Sequence, residues 1–200
     1  MNFKVCLIGI VLAFVLFGCS NKSEISQPSE AEAQKVAQIG GELTKTLLDT
    51  LGATLKSSMQ TDGPVAAIDV CKIEAGAIAE RVAGLSDETV SIKRTTFKYR
   101  NLKNAPDKFE KEALNHFTKI AEDGKQLPPF YIQKITTNDQ VEFNYYKPLK
   151  VQSLCLTCHG DLETMDSILK ETIAANYPSD MATGYKLDDF RGLVRVKITN

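Results

Sequence analysis

The chain has 200 residues, 43% of them apolar and 24% charged, with a formal net charge of −1. That is enough apolar material for one ordinary core, and the near-neutral balance gives no basis for nucleic-acid binding or for an acidic substrate. With no Trp, two His and five Cys, few side chains are available for metal or redox chemistry. There is no recognisable catalytic triad, carboxylate pair or phosphate loop, so an enzymatic activity is not expected.

The first segment reads as an export signal. Met1-Asn2-Phe3-Lys4 supplies a short positive start, and Val5 to Phe17 is an unbroken apolar run, of signal-peptide length and too short to span a bilayer as a stable helix. It ends in Leu16-Phe17-Gly18-Cys19, which resembles a bacterial lipoprotein box. Residues 1–18 are therefore expected to be removed and Cys19 to carry lipid; an ordinary cleavage site beside a cysteine is the plainer alternative. Each acyl methylene buried in a membrane contributes about 0.8 kcal/mol, so several chains on one residue hold a protein durably at a membrane surface. Ser20 to Glu30 is polar and aperiodic, a tether leading to a domain at 31–200. Cys6 leaves with the signal and Cys19 is lipidated, which leaves Cys71, Cys155 and Cys158. An odd thiol in an oxidising compartment must be buried or bound.

From Ala31, apolar residues recur at three- and four-residue spacing from Val36 to Met59, the mark of a long amphipathic helix that Gly40-Gly41 could kink. Met59 could ligate the iron of a haem, for which Cys155-Leu156-Thr157-Cys158-His159 supplies an attachment pattern further along, but a methionine on an apolar stripe usually fills a core. Pro64 suits the start of a second helix. At about 100° per residue, Ala67, Ile68, Cys71, Ala75, Ile78, Ala79 and Val82 share one arc, with Cys71 near its middle. Cys71 is then either a small buried hydrophobe or a thiolate ligand to haem iron.

Asp87 to Phe97 reads as a strand, followed by a basic, turn-rich loop to Pro106. Arg94, Lys98 and Arg100, with Lys103, could neutralise haem propionates or could form a solvated face. A helix starting near Pro106-Asp107 places Phe109, Ala113, His116, Phe117 and Ile120 on one face, so His116 is expected to point inward as a rival iron ligand, although a lone histidine there is more often a core residue. Two strand-like runs joined by Asn138-Asp139 read as a hairpin, with one buried and one wet face.

Next comes Cys155-Leu156-Thr157-Cys158-His159, the attachment pattern of a c-type haem. Two thiols can add across two vinyl groups of one porphyrin, and the adjacent imidazole can take an axial position on the iron. The alternatives are a disulfide-exchange C-x-x-C or half of a zinc site, the latter weakened by the lack of a second ligand pair. The motif is expected on a loop between a strand and a helix at Asp161 to Asn176, with a last strand at Leu193 to Ile198. The whole is an α+β domain around one sheet.

Four stretches together resemble the Tll-like c-type haem domain family: Ala67 to Cys71 with its helix, Arg94 to Phe109, Cys155 to Gly160, and Tyr177 to Val194. The resemblance implies a PAS-like antiparallel sheet with flanking helices and a long N-terminal helix. It also implies one covalent haem on Cys155 and Cys158, with His159 as proximal and Cys71 as distal ligand. The sequence departs from the family at Asn101-Leu102, where Pro often follows the Asn, and at Phe109, where Trp is usual. A lipid-anchored periplasmic sensor of redox state or of a small ligand is the implied function, at the inner or the outer membrane, signalling to a separate redox or signalling protein. Plain electron transfer and a haem-free thiol oxidoreductase are the rivals.

Overall fold

The computed structural model describes residues 22–199; the expected signal peptide and Cys19 lie outside the described residues. Five strands, β1 (Ser23–Ser26), β2 (Thr89–Thr95), β3 (Tyr131–Thr137), β4 (Gln140–Lys150) and β5 (Phe190–Thr199), form one sheet in the order β1-β3-β4-β5-β2, and every pairing is antiparallel. The segment expected to be a tether thus contributes an edge strand, with Ile25 opposite Ile135. Four alternating residues are too short a pattern for composition to reveal; β1 exists because the edge of β3 is there to pair with it.

Helix α1 (Glu30–Thr61) begins with a capping box, in which Ser29 and Glu32 satisfy each other's backbone N–H. It runs unbroken through Gly40-Gly41 and lays Val36, Leu43 and Leu47 on a core made with Phe143, Tyr145, Val194 and Val196 of the sheet. Gly40 permits close approach rather than a kink. A Cβ there would lie 2.3 Å from Cγ of Tyr145. Then follow α2 (Gly63–Asp69), a π-turn (Val70–Glu74) and α3 (Ala75–Ala83), whose Ile78 and Val82 join the same core.

The opposite sheet face is not wet, as the β4 alternation had suggested. Helix α4 (Lys108–Glu122) packs Ala113, Leu114 and Phe117 against Tyr146 and Leu193. Several polar groups of this second layer pair internally: Tyr146 donates to Gln133 Oε1 (2.9 Å), and the fully buried Glu110 meets Lys93 at 2.7 Å and Arg195 at 3.2 Å, while Asn144 Oδ1 has no hydrogen-bond partner among the described residues. The hairpin turn at Asn138-Asp139 is as expected, both residues having positive φ (48° and 64°), as a type I′ turn requires.

The excursion between β4 and β5 carries α5 (Ser153–His159) and α6 (Ser167–Asn176). The C-x-x-C-H motif therefore lies on a helix, not a loop. The helix after it is shorter than expected, because Asp166 caps it by accepting from Leu169 N.

Gly40 and Gly52 provide a paired test of this packing. Gly40→Ala is expected to destabilise the chain by about 1–3 kcal/mol through overpacking. Gly52, with nothing within 4 Å of its added Cβ, is exposed on the same helix, so Gly52→Ala is expected to stabilise it by about 0.5–1 kcal/mol. Urea unfolding of both variants reads the opposite signs.

Candidate haem site

Residues at positions i, i+3 and i+4 of a helix share one face. In α5 these are Cys155, Cys158 and His159, and all three line a cavity of about 230 Å³. Leu156 turns the other way and packs beside Val151 and Ala182. Gly160 ends the helix where a Cβ would lie 2.5 Å from Leu156 O.

Cys71 and Ile68 also line the cavity, with Leu55 and Met59 from the end of α1. Cys71 sits in the π-turn, where the N–H of Ala75 reaches Val70 O, five residues back. A π-turn adds a residue to one turn of helix and is often found at functional sites. It breaks the uniform 100° register: Val70 is buried, while Cys71 is half-buried and lines the cavity. Burial raises the pKa of both Cys158 and Tyr177, and the nearby Cys71 thiol adds to the rise in each. For Cys158 the neighbouring Arg100 opposes it. Cys71 and Arg94 also line an open groove of about 860 Å³ alongside α3 and β2.

His159 is held by a contact of 2.6 Å between Nδ1 and Ala182 O. A carbonyl only accepts, so Nδ1 carries the proton and Nε2 keeps its lone pair, the arrangement a metal-ligating imidazole needs. Burial, reinforced by Arg100 and Arg191, lowers the His159 pKa from 6.5 to about 3. The ring is neutral at physiological pH.

Arg100 braces the helix. Its Nη2 donates to Cys158 O at 2.6 Å, and the guanidinium pairs with Asp180 at 3.0 Å. Two backbone bonds complete the latch: Gly184 N to Gly160 O (2.8 Å) and Tyr185 N to His159 O (3.0 Å).

Of the expected site residues, Cys71, Arg94, Arg100, Cys155, Cys158 and His159 come together at the cavity. Lys98 stands apart from it, exposed, donating to Thr183 O (2.6 Å) and lying 4.4 Å from the Tyr185 ring centre. His116 corrects the sequence expectation. The buried stripe of α4 runs through Glu110, Ala113, Leu114 and Phe117, which leaves His116 exposed and stacked on Tyr131 at 4.7 Å. It does not line the cavity. Arg191 was missed. It lines the cavity from a stretch that reads as a turn, and its only sequence signal was its place in the last resembling segment.

The cavity residues fit a haem: two thiols on one helix face, a neutral imidazole beside them, a third thiol from another segment, apolar walls and guanidinium groups. Zinc fits poorly. Among the described residues, no three His, Cys, Asp or Glu side chains converge to hold a metal ion.

One antiparallel sheet with a long N-terminal helix, flanking helices and a thiol-lined cavity places the protein in the α+β class expected for it. The chain belongs to the Tll0287-like family, which matches residues 22–199, so the match begins just before β1. Its structure is similar to that of a protein described as the cyanobacterial heme-protein Tll0287. The two share 26% identity at a TM-score of 0.58, over 86% of this chain and 98% of that one. No curated protein matches the sequence.

The half-buried, neutral His159 has a consequence for the haem-free chain. Its folded pKa is about 3 against 6.5, so between these values the unfolded state binds more protons and stability falls as pH drops. The slope approaches about 1.4 kcal/mol per pH unit. Chemical denaturation across pH 3–7 is expected to show it, and His159→Gln is expected to flatten it.

Proposed function

We propose that this protein is an exported, lipid-anchored monohaem c-type cytochrome that senses redox state or a small ligand through haem held between His159 and Cys71. The observation that carries the reading is that Cys71, from one helical segment, lines the same cavity as Cys155, Cys158 and His159, from another. The description of the similar structure as a heme-protein supports it.

When bound, the group supplies a one-electron iron couple with two axial positions. The Cys155 and Cys158 thiols would each add across one vinyl group, sulfur to one carbon and hydrogen to the other, so attachment consumes no oxidant. His159 offers Nε2 as a neutral donor whose orientation is held through Nδ1. Cys71 offers a thiolate, whose negative charge favours the oxidised state and lowers the potential relative to a methionine ligand. Arg94 and Arg100 supply positive charge at the cavity wall, with Arg100 already engaged by Asp180.

Cys71 is the ligand suited to switching. Its π-turn is an irregular element, and the open groove at its back leaves room for it to withdraw and for a small molecule to approach. Any signal would pass to a separate protein. Plain electron transfer is the second reading, in which Cys71 never lets go. The imidazole directly after the second thiol and the match to the Tll0287-like family weigh against the thiol oxidoreductase reading.

Absorption spectra of the matured wild type and Cys71→Ser, ferric and dithionite-reduced, test the reading. A covalent low-spin haem whose ferric bands change on Cys71→Ser is expected, together with carbon monoxide binding by the reduced wild type. Unchanged bands make Met59 or solvent the sixth ligand, a reduced protein that refuses carbon monoxide favours electron transfer, and a colourless wild type ends the haem reading. For the anchor, mass spectrometry of the membrane fraction is expected to give a chain starting at Cys19 with acyl mass added; an unmodified N-terminus would overturn it.

A further inference from the structure

We propose that Arg191 and Arg94 form an anion subsite that takes two carboxylates from the rim of the molecule in the cavity. The inference rests on the haem reading, in which those carboxylates are the two propionates.

The first argument is charge. Three guanidinium groups, of Arg94, Arg100 and Arg191, line the cavity, and no Asp or Glu does. Arg100 is matched by Asp180 at 3.0 Å. The Arg94 side chain makes no hydrogen bond or ion pair among the described residues, and the residue is half-buried. Arg191 spends its Nη1 on neutral oxygens alone: Lys98 O at 3.2 Å, Thr96 Oγ1 at 3.3 Å and Tyr185 Oη at 3.4 Å. Buried charge is normally paired, because an unpaired ion loses its hydration without return. Two unmatched cations in one wall therefore call for two negative charges from the ligand, and a guanidinium receives a carboxylate through two parallel N–H groups.

The second argument is backbone geometry and is independent of the first. In the β4–β5 ladder Leu149 pairs with Gly192 and Lys150 with Phe190, so Arg191 is the residue that the register skips. Gly192 beside it has φ +142°, and a Cβ there would lie 2.5 Å from Thr95 O. Such bulges re-aim a side chain and recur next to functional sites. This one aims Arg191 at the cavity. Arg191 and His159 line the same cavity, so the cation bears on the iron of a bound haem through the field. Removing a cation there favours the ferric state.

The test uses the haem-loaded protein and its Arg191→Gln, Arg94→Gln and Lys98→Gln variants, read by resonance Raman bands of propionate bending and by midpoint potential. Arg191→Gln and Arg94→Gln are each expected to shift the propionate bands and lower the potential, and Lys98→Gln, outside the cavity, to do neither. Covalent haem with wild-type bands and potential in Arg191→Gln overturns the subsite while leaving the haem reading intact. A colourless wild type overturns both. If Arg191→Gln fails to accumulate, Arg191→Lys decides: it keeps the charge and loses the fork, so shifted bands at nearly unchanged potential support the subsite and unchanged bands overturn it.

Discussion

Arg100 reaches two parts of the chain at once, the end of α5 and the 180–185 segment. It donates to Cys158 O at the end of α5, pairs with Asp180 at 3.0 Å and lies 3.4 Å from Ala182 O; that same carbonyl accepts from His159 Nδ1 at 2.6 Å. The short helix α5 could not hold its shape alone, since two turns do not repay nucleation in water. It is kept by being latched to the 180–185 segment, and the latch also sets the tautomer and aim of His159. With 10% and 11% of their side chains exposed, Arg100 and Asp180 interact in a screened-off environment where losing either partner would strand the other.

The sheet supplies the frame for this arrangement. Because successive residues of a strand face opposite ways, Tyr145 serves the α1 core and Tyr146 the α4 core, and both faces of β4 are covered. The cavity lies where that regularity stops: at the end of α1, at the π-turn of the next helical stretch, and at the bulge of β5. Each irregularity presents a side chain that a regular element would have turned elsewhere, Cys71 at the π-turn and Arg191 at the bulge. Regular structure builds the core, and its departures build the site.

What was legible in the sequence follows the range of the interactions involved. The C-x-x-C-H spacing and the alternation of the last strand are local patterns, and they were read at nearly their observed positions. The length of α1, the hairpin turn and the α+β class were read from periodicity and turn chemistry in the same way. His116 misled because a helix stripe read from spacing alone can be rotated by one position, and the sheet beneath α4 selects the stripe that includes Glu110 and Leu114. The strand at Ser23–Ser26 carries no hydrophobic signature strong enough to be seen, since its pairing partner lies more than a hundred residues away.

The sequence by itself determined that two thiols and an imidazole stand at the spacing of a c-type haem attachment motif, while the fold made that stretch a helix and so put all three on one face. The sequence also determined which stretches had apolar faces to bury. Only the tertiary structure decided that Cys71 meets that face, that His159 is neutral with Nε2 unengaged, that Arg100 is taken by Asp180, and that Arg191 joins Arg94 at the wall. These outcomes depend on which carbonyl, carboxylate or guanidinium the fold brings within a few ångströms of each group. Desolvation and charge act through space, and no local pattern along a chain encodes the distances on which they depend.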